Sequence, residues 1–498
     1  PCRAETKEAN MAIHSHLYLA FSIGMSTAFF ATGFTGLCKS FRRGHPFHPT
    51  AMLSSSASVT EALTLPDFQT KEDYLTYLES VSGLPLGFAT GTAEGRFVPI
   101  EAPSIGDLPL RATVIHLTDG PTNSWAAVFT KNKFPGAPVL IGRERLASGT
   151  PLQALVINNK ISNVCSGGDG VADSERVCES VALALNLSGG GKHVLPSSTG
   201  IIGWRLPVEE LANDIVPRAI ENMQGDSALK AASAIMTTDR YPKVRSRTLP
   251  SGAKIVGIAK GAGMIEPNMA TMLGYIMTDA VIEKSKLQNM LSEIVSYTFN
   301  SISIDGDEST SDTVAIVASN KIQIDSEDDF RGALEDVCRG LAADIVRNGE
   351  GTGHVMRVRI DNFPGSNDEA VRLGRHIVNS PLFKCAISGN DPNTGRLAGA
   401  VGSFMGKFMD GKSVQDVVMK LGGRTIFANK KFVLEGDEVE KELSDHIRNA
   451  QFDENEEFPS HQKYVEINVD FGAGNGSATV LGSDLTDEYI AVNADYRS

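Results

Sequence analysis

The chain has 498 residues, 41% of them hydrophobic and 21% charged, enough for a large core in two or three domains. Its formal net charge is −14, and the first 60 residues hold five bases against two acids, so the remainder is more acidic than the whole. Such a body repels nucleic acid and anionic membrane surfaces and argues against both as partners.

From Asn10 to Thr60 there is no Asp or Glu, while Ser, Thr and Ala are frequent and Lys39, Arg42 and Arg43 are basic. This is the composition of an organelle presequence. The uncharged run Leu17 to Cys38 is long enough to span a bilayer, but its Ser, Thr and Gly content and its trailing bases favour a removable leader over an anchor. Met11 is read as the initiator, residues 1–60 as leader, and the mature protein is expected to begin near residues 50–65. The mitochondrial matrix is the expected location, with a plastid as the alternative. The six cysteines form no CxxC pair and no Cys/His cluster of zinc spacing, so free thiols and no metal are expected.

Along the body, Trp125 to Thr130 and Ala154 to Asn158 read as strands and Glu175 to Leu185 as a helix. Lys254 to Ile258 reads as a strand leading into a glycine loop. Ser285 is the expected N-cap of a helix whose Leu287, Met290, Leu291, Ile294 and Val295 share one face. A second helix places Phe330, Leu334, Val337, Leu341, Ile345 and Val346 on one face, with Gly349 as its stop. A strand follows, in which Met356, Val358 and Ile360 alternate with Arg357 and Arg359. Mixed strands and helices in this order predict an α/β, α+β layered architecture, with sheets flanked by helices.

The most informative stretch is Lys260-Gly-Ala-Gly-Met-Ile-Glu-Pro-Asn-Met-Ala-Thr271-Met-Leu-Gly. It closely resembles the cleavage and nucleophile motif of the ornithine acetyltransferase (glutamate N-acetyltransferase) family of arginine biosynthesis. The resemblance covers roughly residues 85–498 and implies a fold like that family's and like DmpA, of the N-terminal-nucleophile type. It also implies that the precursor cuts itself between Ala270 and Thr271. Residues 61–270 would then be an α chain and 271–498 a β chain that begins with the nucleophile.

The chemistry suits those residues. A Thr hydroxyl is a poor nucleophile near neutrality and needs a base. The α-amine released at Thr271 has a reference pKa of about 7.7–8.0, so one residue supplies both groups. An acetyl ester on Thr271 would pass to a second amine in a ping-pong scheme.

Other blocks extend the resemblance. Ser197-Ser-Thr199-Gly200-Ile-Ile-Gly203 is similar to the family's oxyanion loop and assigns Thr199 and Gly200 as donors. By the same resemblance Thr237 or Thr238, Lys260, Glu350, Asn493 and Ser498 would hold substrate. The acidic run Asp305 to Asp312 lacks calcium-loop spacing and is read as a capped structural turn. His354 has no partner that sequence can identify, so no Ser-His-Asp triad is assigned.

The implied reaction moves acetyl from N2-acetylornithine to glutamate, with acetyl-CoA left open as a donor. No metal or organic cofactor is implied. Two α and two β chains are expected to assemble. A hydrolase of the same fold and a non-catalytic relative are the alternatives; the latter predicts an uncut chain.

Overall fold

The computed structural model describes residues 65–266, 272–453 and 456–495. The expected leader, Ala270, Thr271 and Ser498 lie outside the described residues.

Three sheets carry the fold. The first runs in the order Phe88–Phe97, Leu108–Leu117, Ala154–Asn158, Val194–Ser198. The second runs Trp125–Phe129, Thr313–Gln323, Leu273–Val281, Lys254–Lys260, Lys243–Thr248. These two sheets pack face to face. Phe88, Ile115, Leu155 and Leu195 from the first meet Trp125, Val256, Tyr275 and Val317 from the second. Strands such as Ala154–Asn158 are buried along their whole length, because both faces are covered and a continuous apolar run is therefore favoured over alternation.

Helices close the stack on either side. The helix Gly170–Leu185 sets Val177, Cys178 and Val181 against Ala112, Val114 and Val156 on the outer face of the first sheet. The helices Lys284–Tyr297 and Glu327–Arg347 cover the outer face of the second through Ile255, Ile276, Val314 and Ile316. The α/β layered architecture expected from the element order is thus present as helix, sheet, sheet, helix. A third sheet has seven strands, with Val355–Phe363 near its centre, paired to Val465–Asp470 and Gly476–Ser483. Its Met356, Val358 and Ile360 pack on the helices Asn367–Val378 and Thr394–Phe408.

All the described residues belong to one compact unit. The predicted 270/271 boundary does not divide the fold, since strands from both sides of it interleave in the second sheet.

The three helices read from the sequence are all present, each with a corrected end. The helix expected at Glu175 begins at Gly170, where Asp169 accepts from Ala172 N at 3.0 Å. The next begins at Lys284 with Glu283 as its N-cap; Ser285 lies inside it and donates to Glu283 Oε1 at 2.5 Å. Its apolar face holds, with Leu287, Leu291, Ile294 and Val295 buried. The long helix starts at a capping Ser326, whose hydroxyl accepts from Asp329 N at 3.2 Å, and carries acids at its N-terminal dipole. It ends at Arg347, before the expected stop. Gly349 is not left-handed; Gly351 is, at φ 61°. A Cβ on Gly351 would sit 2.3 Å from Tyr489 N, so glycine there lets the C-terminal helix Asp487–Asp495 dock against the end of the long helix.

Candidate active site

Strand register brings the site together. Lys260 pairs with Leu273 and Leu273 with Thr313, so three neighbouring strands end at one level. The first sheet adds the end of Val194–Ser198, where Ser198 pairs with Asn158. Between these ends lies a cavity of about 360 Å³. Thr199, Gly200, Thr237, Thr238, Lys260, Glu350 and Asn493 all line it.

Thr199 and Gly200 follow the strand directly. Thr199 N donates to Asn158 O at 3.1 Å, and Ile201 N donates to Lys160 O at 2.8 Å. Gly200 has φ 123°, and a Cβ there would stand 2.2 Å from the Lys160 carbonyl. Only glycine permits this backbone crossing at the cavity wall.

The glycine loop 261–266 is held from three sides. Gly261 N donates to Asp239 Oδ1 at 2.8 Å. Met264 N and Ile265 N donate to the two oxygens of Asp305 at 2.7 and 2.8 Å. Glu350 N donates to Ala262 O at 2.8 Å. A Cβ on Gly263 would lie 2.3 Å from Glu350 Oε2, so the glycine makes room for that carboxylate. Asn493 then donates to Glu350 Oε2 at 2.8 Å, tying the C-terminal helix into the wall. Met264 on one side of the predicted scissile bond and Met272 and Leu273 on the other also line the cavity.

A buried charge network underlies the site. Lys243 and Asp239 are ion-paired with side chains wholly buried. Lys243 also donates to Asn348 Oδ1 at 2.7 Å, and Thr237 N donates to Asp239 Oδ2 at 3.0 Å. Burial alone would raise the Asp239 carboxyl, but the Lys243 and Lys260 ammonium groups and the Gly261 amide hold it below its ordinary value. Burial disfavours the Lys243 ammonium, which Asp239 offsets.

Lys260 reaches the cavity yet is surrounded by protein. Burial lowers its pKa, and the nearby Asp239, Asp312 and Glu350 carboxylates act in the opposite direction. Burial pushes the Asp312 carboxyl well above its usual range, with the Ser309 hydroxyl and Lys260 only partly offsetting it.

Sequence reading missed Asp239, Lys243, Asn348 and Asp312 as parts of one site. Asp239 and Lys243 lie four residues apart, but Asn348 lies 105 residues from Lys243, and no local pattern joins them. The acidic run does form a capped turn, with Asp307 N donating to Asp305 Oδ1 at 3.2 Å. It also clamps the glycine loop, and Ser309 to Asp312 line the cavity, a role its spacing did not suggest. His354 has an acidic partner after all, Asp484 at 2.7 Å from Nδ1, but the pair is buried and does not line this cavity. Among the described residues no group of His, Cys, Asp and Glu could hold a metal ion. Four described cysteines are free, and no described helix is long and apolar enough to cross a membrane.

A layered α/β enzyme with hydroxyls, a lysine and carboxylates around one cavity is the class that fold and site define. Residues 111–498 match the model of the ArgJ family. The chain is 37% identical over 375 residues to the arginine biosynthesis bifunctional protein ArgJ 2 of Clostridium acetobutylicum, covering 75% of this chain and 90% of that one. It is 39% identical over 393 residues to the ArgJ protein of Agrobacterium fabrum, covering 75% and 88%. Among solved structures it is similar to an ArgJ protein from Bacillus halodurans, with 30% identity, TM-score 0.38, and 45% and 98% of the two chains covered. It is also similar to an ornithine acetyltransferase from Mycobacterium tuberculosis solved with ornithine, with 34% identity, TM-score 0.33, and 38% and 96% covered. The chain belongs to the ArgJ family.

Proposed function

We propose that this chain is a glutamate N-acetyltransferase of arginine biosynthesis that cuts itself between Ala270 and Thr271 and then works through an acetyl-Thr271 ester. The observation that carries the reading is the cavity wall. It gathers seven residues assigned from sequence together with Met264 and Met272, which flank the bond to be cut.

In the first half-reaction the Thr271 hydroxyl attacks the acetyl carbonyl of N2-acetylornithine while its α-amine takes the hydroxyl proton. Thr199 and Gly200 donate to the oxyanion. The C–N bond breaks, the α-amine returns the proton to the leaving amine, and ornithine departs. In the second, the glutamate amine attacks the ester, Thr271 recovers its hydroxyl, and N-acetylglutamate leaves. Thr237 or Thr238, Lys260, Glu350, Asn493 and Ser498 hold substrate, with Glu350 facing an ammonium and Lys260 a carboxylate. Acetyl-CoA stays open as a second donor. No metal or organic cofactor takes part.

The same reading has residues 1–60 as a leader to the mitochondrial matrix, or to a plastid, and two α and two β chains in the assembly. The acid-free composition of residues 10–60 supports the leader, and the family match begins beyond it, at residue 111.

The test is to incubate purified protein with labelled N2-acetylornithine and glutamate. Label appearing in N-acetylglutamate, with release of one ornithine each, supports the transferase. Free labelled acetate instead would identify a hydrolase.

Two expectations follow from the geometry. Lys254–Lys260 is hydrogen-bonded to Leu273–Val281 across the predicted break. The cut protein should therefore elute as one species in size exclusion under native conditions and as two bands on a denaturing gel; separation without denaturant would contradict it. Lys260 must be protonated to bind a carboxylate, and its lowered pKa means that this charge is lost below the ordinary 10.5. KM should rise as pH climbs through that lowered value, with kcat affected less, and Lys260→Arg should move the rise to higher pH.

A further inference from the structure

We propose that a second cavity, of about 320 Å³, between the long helix and the third sheet, is a binding site for a compact organic anion bearing carboxylate or phosphate groups. It shares no lining residue with the active cavity. In a chain of net charge −14, this cavity collects Arg339, Arg347, Arg357 and Arg359 against one lining carboxylate, Glu466.

The arginines at odd positions of Val355–Phe363 are central to this site. Their alternation with Met356 and Val358 sets Arg357 and Arg359 on one face, and the structure turns that partly exposed face toward a space walled by the helix Glu327–Arg347. The Tyr464 ring lies 4.9 Å from the Arg347 guanidinium and 4.4 Å from that of Arg357. This aromatic slab orients both groups without consuming their charge.

Neutralisation within the protein is incomplete. Arg339 pairs with Glu335, Arg357 with Glu466 and Arg359 with Asp361. Besides a bond from its Nη2 to the Tyr464 hydroxyl, Arg347 has as carboxylate partner only Asp344, at 3.5 Å, and that carboxylate is already held by Arg245 through two bonds of 2.7 and 2.6 Å. Five guanidinium groups thus meet four carboxylates.

Unused donors are present too. Arg347 Nε and Arg339 Nε have no hydrogen-bond partner, nor does Ser301 Oγ, and all three residues line the cavity. The Arg347 side chain is 2% exposed and Ser301 is 4% exposed. Buried donors are rarely left unmade, and an anion is the ligand that would satisfy guanidinium and hydroxyl donors together. Ile302 and Leu481 in the wall suit a ligand with a carbon skeleton.

The experiment is calorimetric titration of the purified wild-type protein with citrate and, separately, with inorganic phosphate. Saturable binding of either is expected, and the tighter of the two tells a carboxylate from a phosphate ligand. Removing one charge-assisted donor should weaken binding by about ten- to a hundredfold. Arg339→Gln and Ser301→Ala are the variants of choice, because wholly buried Arg347 risks misfolding; thermal melts check that both fold. Lys260→Gln, in the other cavity, should bind the anion as wild type does. No saturable binding of either anion would overturn the proposal, as would binding that Arg339→Gln leaves unchanged or that Lys260→Gln abolishes.

Discussion

Thr271→Ala should give a single uncut band on a denaturing gel and lower acetyl transfer by on the order of 10⁴-fold or more. The reason is that two functions are lost with one oxygen. The side-chain hydroxyl is the group proposed to break the chain, and without the break there is no α-amine to act as base. Thr271→Ser keeps a hydroxyl and should retain both cleavage and transfer at reduced rates. Mass spectrometry of the intact protein and a single-turnover acetyl-transfer assay check both variants. An active Thr271→Ala protein, or an uncut wild type that transfers acetyl groups at full rate, would remove the basis of the proposed mechanism.

The second large effect is expected at Asp239, whose side chain is wholly buried. Asp239→Ala leaves the Lys243 ammonium buried with only Asn348 as acceptor and removes the acceptor of Gly261 N. Breaking a buried ion pair from one side costs about 3–5 kcal/mol, because the remaining charge stays desolvated. Urea unfolding of wild type and variant measures it. Replacing both partners, as in Asp239→Leu with Lys243→Met, should recover much of the loss, since two apolar side chains carry no desolvation penalty. Such a protein should still transfer poorly, because the glycine loop has lost its contact to Asp239, one of the three that hold it.

The same carboxylate has a pH signature. Its folded pKa lies below the ordinary 3.8, so its stabilising contribution is present in full above that value. It is lost as pH falls below 3.8 toward the folded value. The stability gap between wild type and Asp239→Asn should therefore be constant near neutrality and shrink in strong acid; a gap that grew on acidification would contradict the ion-pair assignment.

Helix faces were legible because they follow from spacing alone. Leu287, Leu291, Ile294 and Val295 are buried as their period requires, and so are Phe330, Leu334, Val337 and Leu341. Helix ends were less so. Ser285 was the better cap by residue type, yet the helix starts at Lys284 with Glu283 before it, and Gly351 rather than Gly349 takes the left-handed turn. What the polar face of Val355–Phe363 meets was not legible for a different reason. Alternation says that two faces differ, but it does not say whether the polar one meets water or a second layer of protein.

The sequence by itself determined the family and the layered α/β class, and it supplied the candidates proposed for the nucleophile, oxyanion and substrate roles, because contiguous motifs and periodic burial are local properties of the chain. Only the tertiary structure decided which distant groups share one cavity. Sheet register set Lys260, Leu273 and Thr313 at one level. Buried side chains then joined Asp239, Lys243 and Asn348. Asp239 and Lys243 are four residues apart, but the contact with Asn348, 105 residues from Lys243, is set by which elements pack together, and no spacing along the chain encodes it.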